Sequence, residues 1–171
     1  GSEEDKKRFR PISLNRTQNS HVLQIRNNVP EEQAGLMWMC FGVPSFTPYV
    51  PFYANTNDTD PSWSNTPLEF DMNSAYWMYR ALSMLVESHH AQFIQDDLDY
   101  LTAAREQQYR LIDENDKAAQ ELSGEDLTRF LTEKNYEMVA DMKERTMGMI
   151  NHFFVEGLKL SKLTFNMDAN L

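Results

Sequence analysis

All seven prolines of the chain lie between residues 9 and 67, and residues 68–171 contain none. Proline removes a backbone donor and breaks helix interiors, so its distribution divides the chain by the structure each part can hold. The first part suits strands, turns and loops. The second is free to run as long helices. Together they predict an α+β chain: strands and an aromatic-proline loop over 9–67, then a long antiparallel helical segment over 72–171.

Two runs in the first part have strand character. "SHVLQIR" (20–26) alternates, with Val22, Gln24 and Arg26 on one face and His21, Leu23 and Ile25 on the other. "GLMWMCFGV" (35–43) is apolar on both faces, as in a strand buried between two layers. Turn residues between them (Asn27, Asn28, Pro30, Gly35) predict a medium loop joining an antiparallel pair.

The second part reads as three helices. Asp71 or Asn73 is placed to cap the first, over "SAYWMYRALSMLVESHH", with Tyr79, Leu82 and Val86 among its apolar residues. The second runs from about Gln92 to Leu122, striped by Ile94, Leu98, Leu101, Leu111, Ala118 and Leu122. "SGED" breaks the chain, and Glu125 and Asp126 favour the positive end of the next helix dipole. That third helix reaches about Leu158, with Leu127, Phe130, Leu131, Met138, Met142, Met149 and Phe153 on its stripe. The apolar residues after Met147 predict a deeply buried end, and "KLSKLTF" a short closing strand. The short break makes the last two helices an antiparallel hairpin.

Charge and cysteine content exclude several function classes. A formal net charge of −10 disfavours nucleic acid and anionic membranes, both of which select basic surfaces. The longest apolar run, Ala34 to Val43, is about half of the ~20 residues a membrane span needs. The charged start, "EEDKKRFR", has no signal-peptide pattern. Gly1-Ser2 resembles an expression scar, so residues 1–8 read as a tag remnant and flexible start. A single cysteine rules out an internal disulfide framework and a multi-cysteine metal site.

That cysteine, Cys40, sits among Met37, Trp38, Met39 and Phe41. A catalytic thiol needs exposure, a lowered pKa and a nearby base, and apolar surroundings work against all three. Cys40 is therefore expected to be buried and inert. Adjacent His89 and His90 diverge by about 100° on a helix and do not make a metal pair. "NTNDTD" (55–60) gathers oxygen ligands but lacks the spacing of a calcium loop, and its residues are those of ordinary turns. The many acids of the second and third helices, Asp96, Asp97 and Asp99 among them, read as a solvated face. No metal or cofactor site is expected.

Three stretches together carry a family resemblance: "R-x-I…T-x-x-S-H-x-x-Q-I-R" (10–26), "W-x-x-x-G-x-P-x-x-x-P-Y-V-P-F-Y" (38–53) and "A-Y-W-x-Y-R-A-L" (75–82). They resemble the C-terminal part of a bacterial dipeptidase family of cysteine hydrolases. That family lies within the N-terminal-nucleophile superfamily, alongside penicillin V acylase and bile salt hydrolase. The likeness is clearest over 9–87. It implies that 9–171 are the C-terminal part of a dipeptidase domain, holding the later strands of a four-layer α/β/β/α sandwich.

The resemblance also implies a mechanism, in which a self-processed N-terminal cysteine is the nucleophile and its α-amino group the base. This chain starts Gly-Ser-Glu-Glu and holds no such cysteine, so by itself it is expected to be inactive. Asn15, Arg16, His21 and Arg26 are the candidates for substrate contacts, an arginine being suited to a dipeptide's free carboxylate. Phe46, Tyr49 and Tyr53 of the aromatic-proline loop are candidates for a pocket wall. Two rival readings stand: an amidase of the same fold acting on N-acyl substrates, and a non-catalytic module whose helical pair binds a partner or self-associates into a homo-oligomer.

Overall fold

The computed structural model describes residues 2–4 and 13–161. The rest of the start read as a tag remnant, and residues from 162 on of the expected closing strand "KLSKLTF", lie outside them, while Lys159 and Leu160 of that stretch end the last helix instead. Among the described residues the order is β1 (Asn19–Ile25), α1 (Glu31–Ala34), β2 (Gly35–Phe41), β3 (Val50–Tyr53), α2 (Pro61–Ser64), α3 (Ala75–Ser88), α4 (His90–Ala118) and α5 (Gly124–Leu160). The fold is α+β: one antiparallel sheet in the order β1-β2-β3, and a helical layer.

β1 and β2 pair as expected, with Val22 opposite Trp38 and Leu23 opposite Met37. The turn residues between them hold one helical turn, α1, in place of a plain loop. The sequence reading missed β3, because Pro51 within it and Pro48 just before it argue for loop. Pro51 pairs with Trp38 at a position where, from the register, its missing N–H would point away from β2. The ladder therefore loses nothing, as is usual for a proline in an edge strand.

The two faces of the sheet differ. Leu36, Trp38 and Tyr53 share one face and pack with Ile112 of α4 and Leu127, Leu131 and Met138 of the α5 region. On the other face Val50, Phe52 and Phe41 are covered, with Trp63 of α2 stacking on Phe41 at 4.9 Å and meeting Phe52 edge-on at 5.1 Å. His21, Leu23, Ile25 and Met37 on that second face are exposed, Leu23 at 72% and Ile25 at 81%. The prediction that β2 is buried between two layers thus holds along part of its length only.

Gly42 explains one fixed position of the 38–53 pattern. Its φ of +80° is open to glycine, and a Cβ there would lie 2.9 Å from Ser83 Oγ. The chain can turn out of β2 against α3 only because this residue has no side chain.

The three helices expected after residue 68 are present and differ in detail. Ser74, not Asp71 or Asn73, precedes α3 as its N-cap, while Asp71 Oδ1 accepts from the Asn73 N–H at 2.8 Å in a turn one step earlier. α4 starts at His90 and ends at Ala118, four residues before the expected stop. α4 and α5 do form an antiparallel pair, shown by Asp96–His152, Tyr100–Thr146 and Gln107–Asp141 contacts.

The buried stripe of α4 is out of phase with the expected one. Phe93, Asp97, Ala104, Gln108, Ile112 and Asn115 face inward, whereas Leu98 and Ala118 are exposed. Three of those six are polar, so a search for apolar spacing selects the neighbouring stripe. The end of α5 is another correction: Phe154, Val155, Leu158 and Leu160 are exposed, and only Ile150 and Phe153 beyond Met147 are buried.

Candidate functional site

The turn at 13–17 is held against the aromatic-proline loop and α3 by short polar contacts. Ser45 Oγ donates to Ser13 Oγ at 2.8 Å, and Arg80 Nη1 donates to the Thr17 carbonyl at 3.3 Å. Asn15 Nδ2 donates to Glu87 Oε1 at 2.9 Å. Arg16, beside it, is exposed and has no hydrogen bond or ion pair among the described residues. A cleft of about 550 Å³ opens next to this turn, lined by Asn15, Trp77, Arg80 and Glu87 with apolar side chains from α3 and α5.

A larger groove, about 720 Å³, runs between β1 and α4. Val22, Gln24, Trp38, Pro48 and Tyr49 form one wall, and Leu101, Arg105 and Tyr109 the other. Trp38 Nε1 donates to Gln24 Oε1 at 2.8 Å, which orients the indole on the groove floor. The Tyr49 hydroxyl and Ser20 Oγ are 2.8 Å apart, fixing the loop to β1.

The seven sequence candidates do not converge on one point. Asn15 and Arg16 sit at the turn, Tyr49 on the groove, and Phe46 edge-on to His90 at 5.8 Å. His21 projects from the uncovered face of β1. Arg26 and Tyr53 meet in the interior. The Arg26 guanidinium pairs with Asp116 of α4, its Nη2 also reaching the Gln33 carbonyl, and its carbon lies 5.6 Å from the Tyr53 ring centre. Tyr53 Oη donates to Asp116 Oδ1 at 2.9 Å, and burial together with that carboxylate pushes its pKa far above the usual phenol range. The fork of Arg26 is thus occupied by Asp116 and the α1 carbonyl.

Cys40 is fully buried, as expected. Its Sγ lies 3.0 Å from Thr47 Oγ1, and burial raises the thiol pKa against smaller opposing effects of Thr47 and Ser20. Native Cys40 should therefore resist a water-soluble disulfide reagent at neutral pH and react stoichiometrically once urea unfolds the chain. Fast labelling of the folded protein would contradict this burial.

The oxygen-rich 55–60 loop is tied largely to α5. Thr128 Oγ1 donates to Asn55 Oδ1, Thr132 Oγ1 accepts from the Asn57 N–H, and Tyr136 Oη donates to Asp58 Oδ2 at 2.8 Å. Asp60 caps α2 by accepting from Ser62 N. No group of three or more His, Cys, Asp or Glu suited to a metal ion occurs among the described residues.

Sequence reasoning placed Asp97 on a solvated face, yet the structure buries it completely. Neither carboxyl oxygen has a hydrogen-bond partner among the described residues, and burial raises its pKa to about 7. Gln108, three turns on, is also buried with both amide atoms unpartnered. No local sequence signal separates Asp97 from exposed Asp96 and Asp99. Neither cleft is lined by Asp97.

The family model of peptidase family C69 matches residues 1–103. A probable dipeptidase of Latilactobacillus sakei is 46% identical over 171 residues, which is 100% of this chain and 36% of the relative. Dipeptidase A of Lactobacillus helveticus is 32% identical over 169 residues, 98% of this chain and 35% of the relative. A probable dipeptidase B of Lactococcus lactis subsp. lactis (strain IL1403) is 31% identical over 167 residues, again 98% and 35%. The chain spans about a third of the length of the curated relatives it matches.

Proposed function

Because the chain belongs to peptidase family C69, we propose that it is one part of a dipeptidase whose nucleophile is supplied by polypeptide outside these 171 residues. The observation that carries the reading is the 46% identity to a probable dipeptidase along the whole chain. The peptide bond is cleaved by a cysteine thiolate, which adds to the scissile carbonyl and expels the amine. Water then releases the acyl group and regenerates the thiol. Cys40, enclosed beside Thr47, is not that thiolate. These residues alone are expected to be inactive.

Within that reaction this chain supplies part of the sheet, a helical layer and a substrate-side wall. A dipeptide carries a free carboxylate close to the bond being cut, and a guanidinium binds a carboxylate through paired hydrogen bonds. Arg16 has its fork free among the described residues, whereas that of Arg26 is occupied. Arg16 is accordingly the proposed carboxylate contact, with Asn15 beside it on the same turn.

The test is hydrolysis of a dipeptide panel by the longer polypeptide that contains these residues. Activity should disappear when the cysteine that supplies the nucleophile is changed to alanine, and should survive Cys40→Ala. Turnover of N-acyl amides in place of dipeptides would overturn the substrate class. Arg16→Ala should raise KM for dipeptides by about 10- to 100-fold, the range of a lost charged hydrogen bond. It should leave the KM of a dipeptide amide, which lacks the carboxylate, unchanged.

A further inference from the structure

We infer that the sheet continues past β1, whose free edge takes an extended segment of the same polypeptide from outside these 171 residues. The inference rests on the reading that the chain is one part of a longer enzyme.

The ladder fixes which edge is open. Gly42 N–H donates to the Gln18 carbonyl and Arg26 N–H to the Ala34 carbonyl, so the even-numbered residues of β1 bond to β2. The N–H and C=O groups of His21, Leu23 and Ile25 consequently point away from β2, toward an edge that no described strand occupies. A long, apolar, unpaired edge invites strand addition unless something covers it.

The opposite edge is closed. Ala54 N–H donates to the Gly35 carbonyl, which puts residues 51 and 53 in the outward phase of β3. Residue 51 is proline and has no N–H to offer. The Tyr53 N–H is already taken by Asn135 Oδ1 of α5 at 3.0 Å. Growth of the sheet is therefore one-sided.

The helical layer is wide enough for what is added. α4 runs along the β1 side, where Leu98 and Tyr109 remain exposed although the Tyr109 ring lies 5.1 Å from that of Trp38 on β2. The 720 Å³ groove between β1 and α4 lies where the alternate side chains of an added strand would point. Its apolar walls call for apolar residues at those positions, and Arg105, exposed and unpaired among the described residues, for an acidic one at its level. The relatives are about three times as long as this chain, which leaves ample polypeptide to supply the strand.

Amide hydrogen exchange on the longer polypeptide tests the idea. The outward amides of His21, Leu23 and Ile25 should be protected on the order of 100-fold or more, comparably with those of Val22 and Gln24. Free exchange of the outward set beside a protected inward set would overturn it. Protection that appears only at high protein concentration would also overturn it, because a second copy would then hold the edge.

A variant pair gives an independent reading. Leu23→Pro removes an outward N–H without touching the β1–β2 ladder, and should lower the melting temperature about as much as Gln24→Pro does. Leu23→Ala, which keeps the N–H, should be milder. A Leu23→Pro protein that melts like the parent would sink the proposal. Dipeptide hydrolysis with unprotected β1 amides would remove this inference alone, and protected amides without hydrolysis would remove the peptidase reading alone.

Discussion

Arg26→Ala should destabilise the fold by about 3–5 kcal/mol, seen as a lowered urea midpoint, the range for removing one member of a buried ion pair. The side chains of Arg26 and Asp116 are only 10% and 15% exposed. Asp116 receives both Nη groups of Arg26 and the Tyr53 hydroxyl, so alanine would leave its carboxylate enclosed with Tyr53 as the only remaining side-chain donor among the described residues. Four elements meet there: the end of β1, α1 through the Gln33 carbonyl, β3, and the last turns of α4. The effect should therefore reach the whole cooperative unit and not a local loop.

The penalty comes mainly from the stranded charge, and a second variant can show this. Replacing both partners with methionine removes the charge along with its counter-ion, and exchanging a buried pair for apolar side chains is often close to neutral. Arg26→Met with Asp116→Met should thus be more stable than either single variant. An Arg26→Ala loss below about 1 kcal/mol, the level of an exposed pair, would contradict the geometry. A stability loss with an unchanged KM per folded molecule would separate Arg26 from substrate binding.

The same residue illustrates what the sequence could reveal. Its position in "Q-I-R" marks the family, yet nothing local says that its partner is Asp116, 90 positions away. The β1–β2 pairing, the three long helices and the burial of Cys40 were legible because proline placement and apolar runs are local signals. The phase of α4 was not, because its inward face carries Asp97, Gln108 and Asn115, which apolar counting rejects. β3 was hidden by Pro51, whose missing donor is harmless only because of the register. The candidate site was legible as a set of residue types, while the spatial separation of Asn15 and Arg16 from Arg26 and Tyr53 needed the tertiary fold.

Asp97→Asn should stabilise the protein at neutral pH by about 4 kcal/mol and do almost nothing near pH 4. Burial raises the Asp97 pKa from 3.8 to about 7, and each unit corresponds to about 1.4 kcal/mol. The sign follows from proton binding: between those two values the unfolded chain has lost the proton while the folded chain keeps it. Stability present below pH 3.8 is therefore lost progressively as pH rises through 7, then stays low. Its neighbours offer no compensating cation. Tyr100, one turn away, has its hydroxyl 2.7 Å from Thr146 Oγ1, Arg145 engages Asp141, and His152 bonds outward to Asp96. Asparagine keeps the shape and cannot ionise, so urea unfolding of both proteins from pH 4 to 8 isolates this one group. A wild-type minus variant difference that does not vary with pH would mean that a counter-charge or solvent reaches the carboxylate.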